Sequence, residues 1–135
     1  MKALYLKTGE KAMVVDVSNT LREYQMLVDG PIESVTIWWD DLVLICNEEG
    51  RLREDIRPNR RIYLPKELDR CWDWSRTHLD IYGDCLIVGW SPEDFTDIPE
   101  EKILKYTELM DDRYNMWNYN EDGEWYLEKI PERAN

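Results

Sequence analysis

Cys85-Leu86-Ile87-Val88, four apolar residues in succession within the run Ile81 to Trp90, constrain the fold more than any other stretch of the chain. Successive side chains of a strand point to opposite faces, so a strand that is apolar at every position must be covered on both sides. The run therefore predicts a central strand with a packed layer above and below it, and Gly83 is expected to mark a bulge.

Other elements are expected to supply those layers. Lys2 to Lys7 alternates apolar and polar residues around Leu4 and Leu6, Thr8-Gly9-Glu10 offers a turn, and Ala12 to Val17 continues as a second strand, so the N-terminus reads as a hairpin. Glu33 to Trp39 and Leu42 to Asn47, separated by Asp40-Asp41 and followed by the turn Glu48-Glu49-Gly50, predict another. Thr20-Leu21-Arg22-Glu23 has capping-box spacing, and Leu21, Tyr24, Leu27 and Val28 share one face, which predicts a helix over 20–29 ended by Gly30 and Pro31. A second helix is expected over 99–113. Asp97 and Pro99 lie at its start, Glu100 and Glu101 at the positive end of its dipole, and Ile103, Tyr106 and Met110 form its apolar stripe.

The stretch Arg51 to Asp80 is irregular, with Pro58 and Pro65 as breakers, an expected strand at Arg61 to Leu64 and a short helix within Lys66 to Arg76. In the tail, Asn120 to Gly123 separates two aromatic runs, so residues 114–135 are expected to form a C-terminal aromatic and acidic hairpin or arm. The fold class is α+β: a mixed or antiparallel sheet with hairpins and two main helices, in a single domain of residues 1–135.

Charge narrows the partners. The net charge is −12, and it is uneven: residues 91–135 carry 5 basic against 13 acidic side chains, whereas Arg51 to Arg76 holds 8 basic against 5 acidic. Phosphate binding draws its affinity from Lys and Arg, so direct nucleic-acid binding is not expected. Cys46, Cys71 and Cys85 are odd in number, form no C-x-x-C pair and lie among apolar neighbours, which fits reduced, buried thiols of a cytoplasmic protein. No stretch has the apolar length to span a bilayer, and the first residues read as a strand rather than a cleavable leader.

Several strings occur together and in order: Leu21-Arg22-Glu23-Tyr24-Gln25-Met26-Leu27-Val28-Asp29-Gly30 followed by Ile32-Glu33, then Asn47-Glu48-Glu49-Gly50, Pro58-Asn59-Arg60, and Asp80-Ile81-Tyr82-Gly83-Asp84-Cys85-Leu86-Ile87-Val88-Gly89. On these strings the chain, over roughly residues 2–106, resembles a domain family of unknown function encoded by bacteriophages and conjugative elements of Gram-positive bacteria. The resemblance implies a mobile-element accessory protein and carries no catalytic residues with it. The Trp-bearing insert around Cys71 to Thr77 and the tail beyond Tyr114 depart from the family pattern.

Candidate chemistry is sparse. Glu100-Glu101-Lys102 has the E-x-K spacing of metal-dependent nucleases, with Asp94 and Asp97 upstream, but Pro99 sets it in a first helical turn, where acidic residues are expected for the dipole alone. His78, the one histidine, makes no zinc spacing with the cysteines. No catalytic residue, metal or cofactor is expected. Asn59, Arg60 and Arg61 could hold a phosphate or carboxylate, or else pin a loop through ion pairs with Glu54 or Asp55. Seven tryptophans are many for this length; Trp38 and Trp39 are expected on opposite faces of a strand, and Trp72 and Trp74 in the basic segment are candidates for an exposed patch.

Spread evenly, the net charge is roughly sixfold less dense than that of duplex DNA, so the acidity is functional only if it clusters. The candidate acidic face is Glu100, Glu101, Glu108, Asp111, Asp112, Glu121 and Asp122, with Lys105 interrupting it. These features point to a non-enzymatic interaction protein that blocks a host protein, such as nucleic-acid-binding or defence machinery, through an acidic, Trp-rich surface. The alternative is a nucleotide- or anion-sequestering module built on Arg60, Arg61 and a tryptophan.

Overall fold

The computed structural model describes residues 1–63 and 78–128. The first hairpin is β1 (Lys2–Leu6) and β2 (Met13–Asp16); α1 (Leu21–Val28) follows, then β3 (Ile32–Ile37), a 3-10 turn (Trp38–Asp40) and β4 (Leu42–Asn47). Next come β5 (Pro58–Tyr63), β6 (His78–Tyr82), β7 (Cys85–Trp90), a two-residue β8 (Phe95–Thr96), α2 (Glu100–Asp111) and a small hairpin of β9 (Asn118–Tyr119) and β10 (Trp125–Tyr126). The main sheet runs β2-β1-β7-β4-β3, antiparallel throughout, with β8 added to β7; β5 and β6 form a separate antiparallel pair. The architecture is α+β, with both helices close to their expected spans.

β7 is central because its sequence permits nothing else. Cys85 and Ile87 face a core with Leu4, Leu6, Leu44, Tyr106 and Met110, beneath α2 and the β5–β6 pair. Leu86 and Val88 face the opposite core with Ala3, Val43, Ile45 and Tyr24, beneath α1. All four residues of the run are 0% exposed. Gly89 is required by close approach: a Cβ there would lie 2.3 Å from the Asp97 carbonyl oxygen.

The expected strand Ile81 to Trp90 is in fact two strands in different sheets. Gly83, at φ +78, turns the chain from β6 into β7. The bulge falls instead in β5, between Pro58 and Arg60. That extra residue places Asn59 and Arg60, 1% and 0% exposed, both toward the interior. Trp38 and Trp39 also depart from expectation: β3 ends at Ile37, and the pair sits in the 3-10 turn, so strand alternation does not separate them. The short helix expected within Lys66 to Arg76, with Cys71, Trp72 and Trp74, lies outside the described residues.

The motif residues act as pins. Thr20 Oγ1 accepts from the Glu23 amide at 3.3 Å, while the Glu23 carboxylate reaches back to the Ser18 amide at 2.6 Å, a displaced capping box. Asn47 closes the other end of α1, its side-chain amide donating to the Val28 and Asp29 carbonyls at 3.1 and 2.9 Å. Asn59 donates to the carbonyls of Leu6 and Gly83 at 2.9 and 2.8 Å. The Arg60 guanidinium donates to the Met110 carbonyl at 2.7 Å, to the Lys7 carbonyl at 3.4 Å and to that of Glu10, joining the end of α2 to the β1–β2 turn. Burial lowers its pKa from the ordinary 12.5, yet a guanidinium retains its charge at neutral pH.

Truncating Arg60 removes donors from three carbonyls at once, the buried one of Met110 and the part-buried ones of Lys7 and Glu10. Arg60→Met should cost roughly 3–5 kcal/mol of unfolding free energy, and Arg60→Lys a smaller but clear amount because one ammonium cannot span the fork. Urea denaturation of the two variants beside wild type measures both.

Candidate functional site

The cationic candidates are internally occupied. Arg60 is fully buried, and every guanidinium nitrogen has a protein acceptor: main-chain carbonyls at Nε and Nη2, and the Lys7 carbonyl and the Asn59 side-chain oxygen at Nη1. Its nearest carboxylate is Asp111, at 3.8 Å. Arg61 points outward from β5 but grips Asp80 on β6 through two bonds of 2.6 and 2.9 Å, and lies over the Trp117 ring at 5.3 Å. An anion arriving at Asn59, Arg60 and Arg61 would have to displace these partners. The pairing with Glu54 or Asp55 is corrected: Arg53 takes Asp55, at 2.6 Å, and also braces Asp29, whose φ of 60 is left-handed.

The acidic candidates divide by what they touch. Glu100 pairs with Lys2 at 2.9 Å, and Asp111 accepts from the Ala12 amide at 2.7 Å, so both are tied to the sheet. Asp97 accepts from the Lys2 amide and Asp94 from Asn19, both at 2.8 Å. The carboxylates of the E-x-K reading are thus spent on separate partners, and among the described residues no three metal-ligating side chains converge. Glu101, Glu108 and Asp112 remain exposed along the outer side of α2, at seven- and four-residue intervals that keep them on one face. Leu104, 65% exposed, lies among them. Glu121 and Asp122 are exposed on another element, the turn between β9 and β10.

The interrupting cation, Lys105, is paired with Asp40 while its side chain stays half-exposed. Asp40, in the 3-10 turn, has a nearly buried carboxylate that accepts from Lys102 at 2.6 Å, from Lys105 at 2.9 and 3.1 Å, and from the Tyr106 hydroxyl. Burial pushes this carboxyl up, but the bonds from Lys102, Lys105 and Tyr106 outweigh it and hold the pKa at about 2. Burial and the facing carboxylate push the Tyr106 phenol up in turn. Nothing in the sequence singled out Asp40; an Asp-Asp between two strands reads as a solvated turn.

The tryptophans near this cluster take unequal positions. Trp39 packs partly against the α2-side core, whereas Trp38 is 41% exposed and meets Trp39 edge to face at 5.5 Å. The fold thus brings the Trp38–Trp39 turn to α2 through Asp40, while Trp72 and Trp74 fall outside the described residues.

A groove of about 410 Å³ lies elsewhere, between β3–β4 and β6. Val35, Leu44, Leu79 and Ile81 contribute apolar wall, and Glu33, Arg51 and Tyr82 its polar rim. Burial pushes the Cys46 thiol that also lines it up to about 11, so the sulfur is protonated and unreactive at neutral pH. Cys85 is raised further by complete burial. His78, lowered by burial, faces Asp80 rather than either described thiol. No described helix is long and apolar enough to cross a membrane.

A family model described as "Domain of unknown function (DUF3846)" matches residues 1–111. No curated protein and no solved structure matches the chain.

The Asp40 clamp has a calculable pH signature. Its folded-state pKa of about 2 lies below the ordinary 3.8, so its stabilisation is complete above about pH 4 and is lost as pH falls through about 2. The shift corresponds to about 2 kcal/mol. Asp40→Asn should lower stability at neutral pH by roughly that amount or somewhat more, since two ammonium groups lose their counter-charge, and the gap to wild type should narrow between about pH 4 and pH 2 in urea titrations.

Proposed function

We propose that this chain, which belongs to the DUF3846 family of domains of unknown function, is a non-enzymatic binding protein whose α2 outer face engages a basic surface on another protein. In this reading it is an accessory protein of a phage or other mobile element, acting in the cytoplasm of a bacterial host, and its target is host machinery whose basic surface normally receives nucleic acid. Blocking that surface depends on negative charge gathered on one face rather than on a high total.

One observation carries the proposal: Asp40 pairs the ammonium groups of Lys102 and Lys105, the latter still half-exposed, and leaves Glu101, Glu108 and Asp112 around exposed Leu104. An apolar centre within a charged rim is the usual anatomy of a protein-binding patch. Exposed Trp38, fixed next to α2 by the same clamp, extends the aromatic part. The nucleotide-sequestering alternative draws no comparable support, because Arg60 and Arg61 already hold internal partners.

The immobilised full chain, exposed to host lysate at low salt, should retain a basic protein that can then be purified and titrated. The triple variant Glu101→Gln, Glu108→Gln, Asp112→Asn should bind that protein at least about tenfold more weakly and with a flatter salt dependence. Unchanged affinity and salt slope in the triple variant would refute the acidic-face reading.

A further inference from the structure

The family match stops at Asp111, and a few residues later the chain adds an edge to the smaller sheet. Residues 115–117 lie antiparallel against the outer edge of β5, with Met116 opposite Arg60. The Arg61 amide donates to the Asn115 carbonyl at 2.7 Å, and the Trp117 amide to the Asn59 carbonyl at 3.2 Å. Asn115, 4% exposed, returns its side-chain amide to the Arg61 carbonyl at 2.7 Å, so both main-chain groups of Arg61 are met on that edge. Trp117 then lies against the Arg61 guanidinium at 5.3 Å, and Trp125 against that of Arg57 at 6.0 Å. The segment makes one antiparallel bridge to β5 and seats aromatic rings on the arginines of β5 and the turn before it.

We infer that the outer edge of β5 is a strand-accepting site for an extended peptide carrying an aromatic residue, and that residues 112–128 occupy it in cis as a detachable strap.

Three features support this. An antiparallel strand laid on an exposed edge, with alternate side chains in surface sites, is the geometry of strand-addition recognition. The strap itself shows which chemistry fits: a side-chain amide for Arg61 and an aromatic ring two residues later. The seat is also imperfect, because the Trp117 indole N–H is buried with no hydrogen-bond partner among the described residues. A held ring with an unmet donor opens more readily than the fully bonded strands of the core. The site is independent of the α2 face and stands or falls separately from the proposed function.

A labelled peptide of residues 112–128, titrated into full-length protein, tests the inference. Wild type carries its own strap at high effective concentration and should exclude the peptide. The Asn115→Ala, Trp117→Ala double variant, whose strap is weakened but whose edge is intact, should bind it at least about tenfold more tightly than wild type does. Equal binding to both proteins, or binding to neither, would overturn the site. Hydrogen exchange on wild type guards against a variant that merely unfolds: the amides of Arg61 and Trp117 should exchange at least about 100-fold faster than the bonded amides of β4 and β7, and equal protection would overturn the detachable strap.

Discussion

The buried guanidinium of Arg60 is the interaction on which the rest of the structure depends. A charge removed from water is tolerated only when its donors are met, and here three carbonyls from two distant turns and the Asn59 side chain meet them. Because one carbonyl belongs to Met110 in the last turn of α2 and two to the β1–β2 turn, Arg60 fixes helix and hairpin with respect to β5. The Met110 carbonyl, in the last turn of a helix, would otherwise lack a partner, whereas that of Lys7 also accepts from the Glu10 amide at 3.1 Å. The arginine answers a deficit that the secondary structure itself creates, and the bulge between Pro58 and Arg60 lets Asn59 and Arg60 enter the interior together.

Around that pin the sheet follows from apolar patterning. Strand β7 has no polar face, so it needs neighbours on both edges and layers on both sides, and β1, β4 and the two helices supply them. The outer strand β3 carries the polar residues that suit a sheet edge, whereas β2 exposes Met13 and Val14 and is polar only at Asp16. The α1 layer is closed by Asn47, which caps the helix from the end of β4.

What could be read from the sequence was periodic. The central strand, both helices, the first two hairpins and the β9–β10 hairpin each rest on a local pattern of apolar spacing or turn residues, and each is present. What was not readable was long-range and polar. Arg60 and Arg61 look equivalent as letters, yet a bulge turns one inward and leaves the other on the surface. Trp38 and Trp39 read as strand because large aromatics favour strands, but Asp40 is held by α2, more than sixty residues later, and that contact winds the turn instead. Gly83 reads as a bulge but turns the chain, because whether a glycine bulges a strand or turns it into another sheet depends on partners far away in sequence.

The division between family span and tail reflects the same pins. Arg60 reaches as far as Met110, and Asp111 ties back to the Ala12 amide, so the last tertiary bonds that hold α2 to the sheet are made where the family match ends. Residues 112–128 have no share in either core; among the described residues they attach through one edge of β5 and two arginine–indole contacts. A segment so attached can be replaced or opened without removing a core residue, whereas the edge beneath it is held rigid from behind by Arg60 and Asn59. Rigidity in the acceptor and weak attachment in the strap are opposite demands, and they are met because the bulge in β5 places its pins inside while leaving the main chain of Asn59 and Arg61 to the outside.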